Sequence, residues 1–286
     1  MSFREKVQRR WMEADTLVCV GLDPDLERIT RALSAAGDRA ASGSLGEALF
    51  TFNRRIIEAT ADLAAVFKPQ IAHYAACGEE GLRALRHTIR WVHEHHPDVP
   101  VILDAKRNDI GSTAERYAVE VFDRYGADAV TVSPYLGGDS LAPFLERADR
   151  SVFVLCRTSN PGARDLQDLP VAPEGTPLYQ VVARLAAGEW NTHGNVGLVM
   201  GATYPEELRA VRDLVGDMPF LVPGVGAQGG DVAAAVRSGQ DSRGAGLLIN
   251  SSRGILYASA GADFAEAARR AAGELREAIN VWRREG

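Results

Sequence analysis

Eight short apolar runs punctuate this chain, and their spacing limits the fold more than any other feature. They read LVCVG (17–21), LAAVFK (63–68), PVILD (100–104), DAVTV (128–132), SVFVLC (151–156), VGLVMG (196–201), PFLVP (219–223) and AGLLIN (245–250). Apolar residues within them are continuous rather than alternating, which marks strands covered on both faces, as in parallel sheets. The segments between them have helical period. In 79–96, Leu82, Leu85, Ile89 and Val92 form one stripe. In 112–126 the stripe is Ala114, Tyr117, Val121, Phe122 and Tyr125, with Ser112 and Glu115 spaced as a capping box and Gly126 as the stop. Residues 3–13 read as a short leading helix and 263–285 as a long amphipathic closing one. Eight strands alternating with helices over 286 residues predict α/β architecture of one kind, a single (β/α)8 TIM barrel spanning 1–286. Two connections are long, 24–48 and 157–180. The second, rich in proline and glycine, is a candidate lid.

Charge narrows the function classes. A net charge of −6 supplies no global basic field for nucleic acid or an anionic membrane, so an anionic substrate needs local positive groups. The start, MSFREKVQRRWMEAD, lacks the apolar stretch of a signal peptide, and no uncharged apolar run is long enough to span a bilayer. Cys19, Cys77 and Cys156 are widely spaced in apolar surroundings, which fits reduced structural thiols in a cytoplasm. Among 32 basic residues only Lys6, Lys68 and Lys106 are lysine, and two of these close apolar runs. Arginine does not release a proton near neutral pH, whereas lysine can.

In a barrel of this kind the chemistry sits on the loops that follow the strands. Asp23 follows the first run, Lys68 ends the second, and Asp104, Lys106 and Asp109 follow the third. A strand continued two residues past Asp104 would turn Asp104 and Lys106 to one side. Carboxylates flanking Lys106 favour its protonated form, which suits a positioned acid better than a Schiff-base nucleophile. The same residues could also be an ion-paired loop. GVGAQG (224–229) fits G-x-G-x-x-G, but it lies in the seventh unit and Asn250 stands where a dinucleotide site needs an acid. Either a phosphate nest, completed by Arg253 after the eighth run, or plain turn glycines would account for it. His93, His95 and His96 crowd a helix end before Pro97, where the helix dipole explains them without a metal.

The stretch ILDAKRNDIGSTA (102–114) closely resembles the D-x-K-x-x-D-I signature of the orotidine 5′-monophosphate decarboxylase family. VCVGLDPD, VFKPQIAHY, VTVSPYLGGDSL, RTSNPGA, PGVGAQGGD and NSSRGILYA resemble that family's successive strand-end segments, in order, over essentially the whole chain. The longer inserts and the TSNPGA form are similar to the larger, often bacterial, members. The resemblance implies decarboxylation of orotidylate to UMP and CO2, the last step of de novo UMP biosynthesis, in the cytoplasm and with no cofactor or metal. It also implies an alternating Lys68, Asp104, Lys106, Asp109 network, with Lys106 as proton donor to pyrimidine C6. Asp23 and Lys68 would hold ribose hydroxyls, Ser159 would face the pyrimidine, and Gln228 and Arg253 would hold the phosphate. Asp109, Ile110 and Thr113 would come from the partner subunit of a homodimer. One departure is visible: the eighth run ends NSSRG, where many shorter members carry glycine before the arginine. Related sugar-phosphate enzymes share D-x-K-x-x-D but use Mg2+ and an acidic residue near the end of strand 2, where Lys68 stands here. A silent phosphate-ligand-binding barrel would keep binding without turnover.

Overall fold

The computed structural model describes residues 1–225 and 231–284. Each apolar run overlaps a strand: β1 Val18–Leu22, β2 Val66–Pro69, β3 Ile102–Arg107, β4 Ala129–Val132, β5 Ser151–Arg157, β6 Val196–Met200, β7 Phe220–Val222 and β8 Leu247–Ser251. They form one parallel sheet in the order β2-β1-β8-β7-β6-β5-β4-β3. Single bridges, Phe67 to Val101 and Gln70 to Asp104, bring β2 against β3 and close the cylinder. The expected (β/α)8 barrel is therefore present.

Burial along the strands shows where function can reside. All residues of β1, β2, β4, β6 and β7 are buried. In β3 and β8 exposure begins only at the C-terminal ends, at Lys106 and Ser251. Apolar continuity thus holds the cylinder together and gives way at one rim, where polar side chains can meet solvent without breaking the core.

The opposite rim is sealed. The helix Phe3–Met12 buries Phe3, Val7 and Trp11, spaced at four-residue intervals on one face. Ser2 and Glu5 form a reciprocal capping box at its start. The Phe3 ring meets Phe153 of β5 edge-on, with centroids 5.7 Å apart. Asp128, just before β4, accepts from Lys6 at 3.0 Å and from the Val101 amide at 2.9 Å, and lies 2.8 Å from His93 Nε2. His95 instead lies flat on Trp91, so His93 and His95 both have partners within the fold. The closing helix Phe264–Arg284 packs through Phe264, whose ring stacks 5.0 Å from Phe52 of the helix Leu45–Thr60.

One local expectation is corrected. No capping box forms at Ser112 and Glu115: the helix spans Gly111–Ala118 with Ile110 at its N-cap, so Ser112 falls inside the first turn. The reason is the chain's path off β3. Asp109 Oδ1 accepts from the Ile110 amide and Gly111 takes φ +51 at the helix start, so the N-cap is Ile110, two residues before Ser112. The helix then passes through a π-helical turn at Val119–Arg124 and ends, as expected, at Gly126 with φ +75. The 157–180 connection has structure of its own. It carries a 3-10 turn, Pro161–Asp165, and a small hairpin pairing Pro170–Val171 with Thr176–Pro177. Arg157, buried at the end of β5, ties it down through an ion pair of 2.7 Å to Asp168.

Candidate active site

At the open rim, β1 and β2 run side by side with Gly21 paired to Lys68. That register places Asp23, just past β1, 3.8 Å from the Lys68 ammonium. Across the closing bridge, Asp104 Oδ2 accepts from Lys68 Nζ at 3.3 Å, and its Oδ1 accepts from Lys106 Nζ at 2.7 Å. The order along the rim is Asp23, Lys68, Asp104, Lys106, so charges alternate.

Burial gives these contacts their force. Lys68 is buried, which by itself disfavours the ammonium, yet Asp23 and Asp104 outweigh that cost and raise it above the ordinary lysine value. Burial likewise opposes ionisation of Asp104, but Lys68 and then Lys106 prevail and hold its carboxyl at about 2. The Asp104 carboxylate therefore stays ionised at neutral pH although the residue is buried. Next to it, burial pushes the Cys19 thiol up to about 12, with Lys68 opposing, so Cys19 is an inert neighbour rather than a nucleophile.

A cavity of about 700 Å³ opens over this array, within the size range of small-molecule sites. Asp23, Lys68, Asp104, Lys106, Ser159 and Arg253 all line it. Ser159 reaches the cavity because Gly201, after β6, has no side chain; a Cβ there would lie 2.6 Å from the Ser159 amide. Arg253 opens the short helix Arg253–Leu256 after β8 and makes no ion pair among the described residues. Gly21 allows the close approach of that turn, since a Cβ at this position would collide with the Ser252 hydroxyl. Gly224 and Val225 also border the cavity, but Gln228 and the rest of GVGAQG lie outside the described residues.

Asp109, Ile110 and Thr113 do not line this cavity. They stand on an arm that leaves the rim after β3. Arg107 fixes the arm's base through paired bonds of 2.9 Å to both carboxylate oxygens of Glu120. Asn108 Nδ2 donates to the Ser133 carbonyl at 2.6 Å and to Ser140 Oγ at 3.1 Å. Ile110 is left 58% exposed beyond these anchors.

Sequence reasoning missed two groups. Thr131 of β4 bonds Asp104 and two backbone amides; its signal was a lone hydroxyl residue inside the run DAVTV. Tyr257 accepts from the Asp25 amide at 2.6 Å, donates to the Asp23 carbonyl at 3.2 Å, and carries the Arg28 guanidinium 4.9 Å above its ring. Nothing in a single sequence couples Tyr257 to Asp23, because they meet only when β8 closes on β1.

Comparison with known proteins assigns the chain to a family. Residues 16–271 match the model of the "Orotidine 5'-phosphate decarboxylase / HUMPS family". The chain is 54% identical over 283 residues to orotidine 5'-phosphate decarboxylase of Cupriavidus necator, covering 99% of each chain. It is 55% identical over 284 residues to that of Azoarcus sp., covering 99% of this chain and all of the relative. Among solved structures, Leishmania donovani OMP decarboxylase superposes with a TM-score of 0.83 at 41% identity, covering 99% of both chains. With the strand-end charge array in place and this likeness running from end to end, the chain belongs to the orotidine 5'-phosphate decarboxylase / HUMPS family.

Proposed function

We propose that this protein converts orotidine 5′-monophosphate to UMP and CO2, the final step of de novo UMP synthesis, without cofactor or metal. The observation that carries the reading is Lys68, whose buried ammonium lies 3.3 Å from Asp104. A divalent cation gathered by carboxylates at the ends of β2 and β3 would have to displace that ammonium or sit against it, which like-charge repulsion opposes. The same position is compatible with a substrate that brings its own carboxylate and ribose hydroxyls.

The residues then divide the work. Asp23 Oδ1 is buried and lacks a hydrogen-bond donor, so a ribose hydroxyl would satisfy it; Lys68 would hold a second hydroxyl. Ser159 faces the pyrimidine, while Arg253, with Gln228, takes the phosphate. The guanidinium suits a bidentate grip on a dianion. As the C6–carboxylate bond breaks, its electron pair stays on C6 and neutral CO2 departs. Lys106 donates an Nζ proton to C6, becomes neutral, and is reprotonated by water. Asp104, held ionised beside the departing carboxylate, loses an unfavourable neighbour as CO2 forms. Lys106 meanwhile gains attraction to the growing carbanion. Fixed charge of this kind lowers the barrier without reorganising at the moment of reaction, and remote phosphate binding orients the ring for it.

The working form in this reading is a homodimer in which Asp109, Ile110 and Thr113 enter the partner's site. The exposed arm supports it, as do Tyr135 and Leu136, large and exposed on the adjoining segment after β4. The reading also puts the enzyme in the cytoplasm, where its three unpaired cysteines would stay reduced. Loss of orotidylate absorbance in the presence of EDTA tests the reaction directly. A rate no higher than the uncatalysed background sinks it.

A further inference from the structure

The β3–β4 ladder breaks where the chemistry begins. Leu103 pairs with Val130 and Arg107 with Val132, so the residues between lie off the register. Lys106 within this stretch has φ +46, a left-handed conformation that a non-glycine residue seldom adopts. Two consecutive amides, Ala105 and Lys106, have no ladder partner there. One side chain satisfies both: Thr131 Oγ1 accepts from the Ala105 amide at 3.0 Å and from the Lys106 amide at 3.0 Å. The same hydroxyl donates to Asp104 Oδ1 at 2.7 Å. A hydroxyl has one proton and two lone pairs, so the hydrogen-bonding capacity of Thr131 is fully used.

We infer that Thr131 is a positioning residue for the decarboxylation: it locks the Asp104 carboxylate and the backbone of Lys106 in the geometry the reaction needs. Asp104 Oδ1 sits between two donors, the Thr131 hydroxyl and Lys106 Nζ, while Oδ2 faces Lys68. Thr131 therefore stops the carboxylate from rotating away from a substrate carboxylate brought against it. By holding the Lys106 amide, it also fixes the turn from which the lysine reaches toward C6. Thr131 is 1% exposed, so its hydroxyl is committed to these bonds rather than to bulk solvent. The inference rests on the proposed reaction but assigns a role to a residue that the reaction itself does not require to touch substrate.

Thr131→Val keeps the volume and removes the hydroxyl, while Thr131→Ser keeps the hydroxyl. The readouts are kcat, KM, UMP affinity by titration calorimetry, and Tm. A misplacement of about 1 Å in a reacting group can cost about 100-fold in rate. Thr131→Val is therefore expected to lose about that much in kcat, with UMP affinity within a few-fold of wild type. Thr131→Ser restores kcat to within a few-fold. A merely structural threonine would lower Tm in Thr131→Val and leave kcat of the folded fraction unchanged, and that result overturns the inference. Equal kcat losses in the serine and valine variants overturn it too. If Thr131→Val does not fold, Thr131→Cys carries the test, because a thiol fills similar space but is a weak donor and acceptor; a kcat matching that of Thr131→Ser then refutes the role. Wild-type turnover matched by Thr131→Val removes this inference alone, whereas absence of wild-type turnover removes the reaction and the inference together.

Discussion

Replacing Lys106 with alanine separates catalysis from stability, because the structure predicts opposite sizes for the two effects. The Lys106 side chain is 47% exposed and pairs with Asp104 at 2.7 Å. A pair this open is worth about 1 kcal/mol or less. Asp104 keeps Lys68 at 3.3 Å and the Thr131 hydroxyl at 2.7 Å, so no carboxylate is stranded. Tm should fall by no more than about 4 °C, at ~2–4 °C per kcal/mol for a domain near this size. The chemical loss is far larger. A positioned general acid contributes about 10²- to 10⁴-fold, and one preorganised electrostatic group about 10²- to 10³-fold. Taking the lower bound of each gives ~10⁴-fold, or about 5 kcal/mol of barrier. UMP affinity should change little, since ribose and phosphate are held by other residues. The assay is orotidylate absorbance with enzyme at high concentration, alongside UMP titration and a thermal melt of the same sample. Turnover within 100-fold of wild type would refute the proton-donor assignment. A fall in Tm of 10 °C or more would show that Lys106 is chiefly a structural ion-pair partner.

Arg253→Ala should lower kcat/KM for orotidylate by about 3–4 kcal/mol of transition-state stabilisation, as for loss of one strong electrostatic donor. The value for orotidine, which lacks the phosphate, should not change, and an equal loss on both substrates would put the phosphate elsewhere. Lys106→Ala and Asp109→Ala subunits, each inactive alone, should regain about one quarter of wild-type activity when refolded together, because half of the dimers would hold one intact site; no recovery would mean that Asp109 serves its own chain. At the sealed rim, burial opposes ionisation of Asp128, but His93, Lys6 and the Val101 amide hold its carboxyl at about 2 rather than 3.8. A depressed carboxyl stabilises the fold above its unfolded value and loses that contribution as pH falls from about 4 through 2. Asp128→Asn should therefore cost ~2 kcal/mol at pH 7 and almost nothing near pH 2, measured by urea unfolding across pH. A difference independent of pH would contradict the linkage.

The two rims of the barrel use similar charges for different ends. At the sealed rim Lys6, Asp128 and His93 satisfy one another and join the leading helix to the strands. At the open rim Asp23 Oδ1 lacks a hydrogen-bond donor and Arg253 lacks an ion pair among the described residues, so binding capacity remains for a ligand. Buried polar groups left unmatched in a fold are expected where a ligand completes them.

The barrel itself was legible in the sequence because each strand buries both faces, and continuous apolarity is the direct mark of that. Helix stripes were legible for the same reason, since 3.6-residue periodicity records one buried face. Asp23, Lys68, Asp104, Lys106 and Arg253 were legible as polar residues placed where apolar runs end. Local rules failed where the chain's path overrode them: Ser112 and Glu115 have capping-box spacing, yet the departure from β3 moved the helix start. Only the tertiary structure decided how the charges pair. Lys68 lies between Asp23 and Asp104 because β2 sits between β1 and β3 when the cylinder closes. Thr131 became part of the site because the β3–β4 register breaks beside it and leaves two amides for a side chain to satisfy. Sequence carries what each residue needs locally, in burial and periodicity, whereas partners distant along the chain are fixed by strand order and register, which a single sequence does not encode in any one segment.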